Sequence, residues 1–215
     1  MNSATTTNPA TTTNPAAAVK IGVVLGSSRA QRLGERVGRF VIAQSAGVPG
    51  AEFALFDLAA YQLPFFDEAI PPWNNPDRRA APRVARWLDD MASADGYLFI
   101  VPEYNYAVPA VVKNALDFLG HEADGKPASV LSYSDTSHGG SIAGHELRLT
   151  LSKLGMLPLP RSLPLAHADQ LLDPEGVLVS ESDFGRKVAQ FLPWSLRELV
   201  RYAAALRPLR HEVVA

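Results

Sequence analysis

The chain has 215 residues, a formal charge of -2, 47% hydrophobic and 20% charged residues, enough apolar material for one sizeable core in a single domain. So near-neutral a balance gives no electrostatic reason to expect nucleic acid or a membrane surface as a partner. The chain has no cysteine, which excludes disulfides, thiolate metal sites, iron–sulfur clusters and dithiol relays; any electron chemistry needs a borrowed cofactor.

Residues 1–18 contain the tandem repeat TTTNPA at 5–10 and 11–16, low in bulky apolar groups and interrupted by proline. Such a stretch cannot offset its own ordering entropy and is read as a disordered tail. No apolar run before Lys20 resembles a signal-peptide core or reaches the roughly 20 residues of a membrane span, so a cytoplasmic protein is expected. The folded domain is expected over 19–206, with a C-terminal tail at 207–215.

Val19 to Leu25 (VKIGVVL) is a short β-branched run closed by Gly26, the pattern of a parallel strand covered on both faces. Leu33, Val37, Phe40 and Val41 then place one apolar stripe on a helix. A second strand is expected from Ala51 to Asp57 and a third from Gly96 to Val101, with Val84, Trp87, Leu88 and Met91 marking the helix between. Pro109 suits a helical first turn, and Val112, Ala115, Leu116 and Leu119 line one face until Gly120 supplies a C-cap. Ala128 to Tyr133 is the fourth strand; Ala143, Leu147, Leu151 and Leu154 stripe the next helix, which stops at Gly155. Pro158, Pro160 and Pro164 make the fifth strand, within 157–166, short and confined to a sheet edge. The last helical stretch runs from Phe184 to Ala203, with Pro193 expected to kink it or make it restart.

Strands alternating with helices in this way give a doubly wound open α/β sheet, since right-handed crossovers put helices on both faces. Ligands of such sheets gather at the carboxyl ends of the strands. After the first strand, Gly26, Ser27, Ser28 and Arg29 lead into Arg32, Leu33 and Gly34 at a helix start. Amides, hydroxyls, guanidiniums and the helix dipole would converge there on a phosphate monoester. The absence of G-x-G-x-x-G and of Gly-Lys-Ser/Thr points away from a dinucleotide or a nucleoside triphosphate; the plainer reading is a turn whose serines cap the helix. After the third strand, Pro102, Glu103, Tyr104, Asn105 and Tyr106 form a proline-bounded loop suited to lie against a flat heterocycle.

With GSSRAQRLGERV, LPFFDE at 63–68 and PEYNYAVPAVVKNALDFL at these spacings, the chain resembles the NADPH-dependent FMN reductase family over roughly 19–160. The resemblance implies a flavodoxin-like five-stranded parallel sheet in the order 2-1-3-4-5, an FMN cofactor, and NADPH or NADH as hydride donor. The implied acceptor is a small molecule: a free flavin, a quinone, or an azo or nitro compound. A homodimer or homotetramer is implied, and reduced FMN could serve a flavin-dependent monooxygenase. By position, Ser27, Arg29, Arg32, Leu33 and Gly34 would hold the phosphate, and Pro102, Glu103, Tyr104 and Asn105 the ribityl chain and ring. Glu103 is expected to act through its backbone, since hydride transfer to a flavin needs no general base.

Lys113 and Asn114 match the family's KNA block and are expected to be structural. The loop after the fourth strand is longer and more polar than the family's compact glycine turn; Ser134, His138 and Gly139 are expected near the pyrimidine edge of the flavin. His121, His138, His145, His167 and His211 show no ligand spacing, so no metal is expected. In 61–76, Phe65, Phe66 and Trp73 are candidates for a subunit contact or for a self-packed loop. Two rivals share the fold: an electron carrier, and an FMN-binding protein without turnover.

Overall fold

The structure, a computed structural model, describes residues 18–212, apart from the side chains of 211 and 212. The repeat at 5–16 lies outside the described residues. Six strands form the sheet: β1 (Val19–Leu25), β2 (Ala51–Asp57), β3 (Gly96–Pro102), β4 (Pro127–Tyr133), β5 (Leu157–Pro158) and β6 (Leu163–Leu165). The helices are α1 (Gly34–Ser45), α2 (Leu58–Tyr61), α3 (Pro82–Ser93), α4 (Ala110–Asp117), α5 (Ser141–Lys153), α6 (Ala168–Leu171) and α7 (Asp183–Leu206).

All strand pairs are parallel, in the order β2-β1-β3-β4-β5, with β6 also on β4. β3 and β4 are buried along their whole length, which is why β3 is an unbroken apolar run and β4 departs from one only at the small residues Ser129 and Ser132. One core packs α1 and α7 on the sheet through Val37, Phe40, Leu192, Leu196 and Leu199. The other packs α3, α4 and α5 on the opposite face through Trp87, Met91, Leu116 and Leu147. The chain reverses direction across the sheet between β1 and β3, so the loops after these strands part there and open a crevice at their carboxyl ends.

Three local expectations are corrected. The single proline-interrupted strand is two pieces, because Pro160 and its neighbours leave β4 between Pro158 and Leu163. The fourth helix ends at Asp117, before Gly120, whose N–H instead donates to Glu122 Oε2 at 2.6 Å. Helix α7 does not restart at Pro193 but continues through it; burial of Val188, Leu192, Leu196, Leu199 and Ala203 along one face outweighs the one backbone bond that proline removes.

The segment 207–212 forms a short 3-10 helix across the amino ends of the strands. Asp95 accepts from Arg207 at 2.6 Å, from Arg210 at 2.9 Å and from the Lys20 amide at 2.8 Å. Burial pushes the Asp95 carboxyl up, but these three donors outweigh it and leave it below the usual carboxylate range.

Candidate functional site

The first wall of the crevice follows from how tightly β1 is tied to β3. The Gly26 N–H donates to Ile100 O at 2.8 Å, and a Cβ on Gly26 would lie 2.7 Å from Val112 and 2.8 Å from Val101. Only glycine lets the chain leave the sheet so close to β3. Ser27 is then buried, its hydroxyl 2.9 Å from the Tyr104 hydroxyl, so the two loops are fastened by side chains as well. From Ala30 to Leu33 the backbone amides have no hydrogen-bond partner among the described residues. They open toward the N-terminus of α1, where the helix dipole adds positive potential.

The arginines divide their work. Arg29 is exposed, has no carboxylate partner among the described residues, and lies 5.6 Å over the Tyr104 ring. Arg32 forks onto Asp57 at the end of β2, at 2.8 and 2.5 Å, and also donates to Ser27 O. Hydrogen bonding to Asp57, against the cost of burial, raises its pKa and fixes it as a cation. One turn further on, Arg36 lines the same crevice, again without a carboxylate partner among the described residues. Leu33 is the first α-helical residue before α1, and a Cβ on Gly34 would meet the Tyr133 hydroxyl at 2.4 Å.

The second wall comes from the ends of β3 and β4, where Pro102 and Tyr133 are paired in register. Tyr104 and Ala107 exchange N–H···O bonds of 2.9 and 3.1 Å around Asn105 and Tyr106, whose φ values are +54° and +64°. That is a two-residue turn with both central residues left-handed, normally asparagine–glycine territory; holding tyrosine there costs about 1–2 kcal/mol. The Glu103 carboxylate accepts from the amides of Ile142 and Ala143, at 3.0 and 3.1 Å, and so caps α5. Burial pushes the Tyr133 phenol up, keeping it protonated and able to donate.

The loop 134–140 closes the third side. It is fastened to α6 and its approach by Ala168 N–H to Ser134 O at 2.9 Å and His167 N–H to Thr136 O at 3.1 Å. Gly139, with φ +58°, passes so near the 164–166 backbone that a Cβ would approach it to 2.9 Å.

These walls enclose a cavity of about 370 Å³. Of the residues expected from sequence, Arg29, Arg32, Leu33, Pro102, Glu103, Tyr104 and Ser134 line it. Ser27 lies behind them, Asn105 is exposed at the turn, and His138 is exposed away from the lining. Gln31, Arg36, Tyr133, Asp135 and Asp169 also line it and were not anticipated. Tyr133 was within reach: as the last residue of β4 it ends on the same rim as Pro102. Nothing in the sequence brings Asp169 of α6 to this place.

The model of the NADPH-dependent FMN reductase family matches residues 19–170, the span that builds every wall of this cavity. The chain belongs to that family. Its sequence is 32% identical over 172 residues to the NAD(P)H-dependent FMN reductase ntnL of a Nectria species, covering 76% of this chain and 85% of that one. It is 33% identical over 166 residues to a quinone reductase of Pseudomonas putida, covering 74% and 83%. Among solved structures, the flavoenzyme NAD(P)H:(acceptor) oxidoreductase FerB of Paracoccus denitrificans superimposes with a TM-score of 0.70 at 25% identity, over 87% of this chain and 98% of that one. The flavodoxin-like fold expected for an NADPH-dependent FMN reductase is therefore present, in the expected strand order.

Proposed function

We propose that this protein is an NAD(P)H oxidoreductase that holds FMN in the crevice between β1 and β3 and passes reducing equivalents from NADPH or NADH to a small acceptor. The observation that carries this is the cradle of open amides at Ala30–Leu33, flanked by Arg29 and Arg36, two cations without a carboxylate partner among the described residues. A phosphate monoester satisfies all of them at once. A cavity of about 370 Å³ falls within the roughly 300–1,000 Å³ of small-ligand sites, and its phenols supply flat apolar walls.

When bound, FMN supplies the redox-active ring; the chain supplies position and electrostatics. Arg29, Leu33 and Gly34 hold the phosphate, with Arg36 joining them, while Ser27, buried behind them, ties the loop to Tyr104. Arg32 shapes the cradle through Asp57 and Ser27 rather than by facing the ligand. Pro102, Tyr104 and Asn105 lie along the ring, and Glu103 serves through its backbone, its carboxylate being engaged on α5. That engagement takes Glu103 itself out of the role of a base, in keeping with hydride chemistry that needs none. Ser134 and Gly139 approach the pyrimidine edge; His138 stays at the outer margin, as a contact for substrate.

A free flavin, a quinone, or an azo or nitro compound is the acceptor class in this reading. Reduced FMN released from the site would feed a flavin-dependent monooxygenase, in the cytoplasm where NAD(P)H is supplied. The assay is steady-state oxidation of NADPH and NADH with a quinone or free FMN as acceptor. Turnover with parallel double-reciprocal lines is the expected result. Bound flavin that neither nicotinamide reduces would favour the electron carrier or the non-catalytic binder.

The subunit contact belongs to 61–76. Asn114 clamps this stretch from both sides, accepting from Phe66 N–H at 2.9 Å and donating to Pro64 O at 2.7 Å. Phe66 packs edge-on to Phe118 at 5.2 Å, so Phe65 between the clamps is turned outward and 83% exposed. Ile70 and Trp73 extend the apolar surface. A homodimer, or a tetramer built from it, covers that patch. Phe65→Asp is expected to yield monomers in sedimentation equilibrium at concentrations where the unaltered protein is dimeric; unchanged mass would exclude this loop from the contact.

A further inference from the structure

Phe184, Val188, Phe191 and Trp194 recur along one face of α7. With Leu163 of β6 they wall a groove of about 530 Å³, distinct from the FMN crevice. Phe184 is 38% exposed, and the half-buried Phe191 and Trp194 rings lie 5.1 Å apart, forming an apolar floor. From residue 184 to 197 the helix rises about 20 Å, the length of an extended chain of about a dozen carbons with its head group.

The charges at the groove have one sign. Arg161 sits 4.6 Å over the Trp194 ring and Arg197 lines the same end, with Lys187 on the flank. None of the three has a carboxylate partner among the described residues, whereas the neighbouring Arg186 is paired with Asp183. Two guanidiniums at the end of an apolar trough complement an anion with an apolar tail. The adjacent sheet edge argues against a peptide as occupant: Pro158, Pro160 and Pro164 offer no amide donors, so an added strand could not be held along it.

We propose that this groove binds a free medium- or long-chain carboxylate, its tail along Phe191, Val188 and Phe184 and its carboxylate between Arg161 and Arg197. The site stands apart from the flavin, so its occupation leaves FMN in place. The test is calorimetric titration of the FMN-loaded protein with dodecanoate below its micelle concentration, with dodecan-1-ol and anionic phosphatidylglycerol vesicles as comparisons. Saturable one-to-one binding is expected, at least about tenfold weaker for the alcohol and for the Arg161→Ala/Arg197→Ala double variant, with an unchanged flavin spectrum. Both arginines are exposed, so the double variant keeps its core, and the alcohol tests charge recognition without any substitution. The proposal fails if dodecanoate does not saturate, if the alcohol or the double variant matches it, if only vesicles bind, or if flavin is displaced.

Discussion

Replacing Arg29 with alanine is expected to weaken FMN binding by about tenfold or more, while the FMN-free protein melts at an unchanged temperature. The magnitude follows from losing one charge-assisted hydrogen bond to phosphate, about 1.5–3 kcal/mol, at a side chain open to solvent. The separation of the two readouts follows from geometry: the Arg29 guanidinium lies over the Tyr104 ring without a carboxylate partner among the described residues, and the fastening of the loops runs through Ser27 and Tyr104 instead. Arg32→Ala is the contrasting variant, expected to lower both affinity and melting temperature because Arg32 ties the β1 loop to β2. A dissociation constant for FMN that does not move in Arg29→Ala would remove this side chain from the phosphate cradle.

Asp57→Asn is expected to destabilise the fold far more than Arg29→Ala does. Arg32 has a side chain only 7% exposed; Asp57, itself 25% exposed, supplies its nearer compensating charge at 2.5 Å, while Glu35, 47% exposed, lies 3.4 Å from Nε. Removing one partner of a well-buried ion pair costs about 3–5 kcal/mol; the partial exposure of Asp57 reduces this to about 2–3 kcal/mol. At roughly 2–4 °C per kcal/mol for a domain of this size, the melting temperature should fall by about 5–10 °C. The amide retains an oxygen for the Ala59 N–H that Asp57 now caps at 3.0 Å, so the loss reports chiefly on the ion pair. A melting curve that coincides with that of the unaltered chain would mean that Arg32 finds another anion or water at no cost.

The layered fold was legible because each of the first four strands is a short apolar run bounded by turn residues, and each long helix carries one apolar stripe. Such signals are local, and local burial produces them. The loop proposed to hold phosphate drew notice for a similar reason: small residues, hydroxyls and arginines fall within one short loop at the end of a strand. What sequence could not display are pairings between distant positions. Arg32 and Arg29 look equivalent in GSSRAQR, and only the approach of Asp57, 25 positions away, separates a structural cation from a free one. Glu103 is likewise expected to act through its backbone, but that its carboxylate is engaged by the amides of α5 is not visible in the sequence. The unbroken passage of α7 through Pro193 has the same origin, since a local breaker is outweighed by tertiary burial that the pattern around it does not express.

The claim on which the rest depends is that this crevice takes FMN through its phosphate. Titration of the purified, flavin-stripped protein with FMN and with riboflavin, followed by flavin fluorescence and absorbance, tests it most directly. Saturable binding of FMN, with riboflavin weaker by about a hundredfold as expected for losing several charge-assisted contacts, is the predicted result. Equal affinity for the two flavins, or no binding of either, would contradict the account.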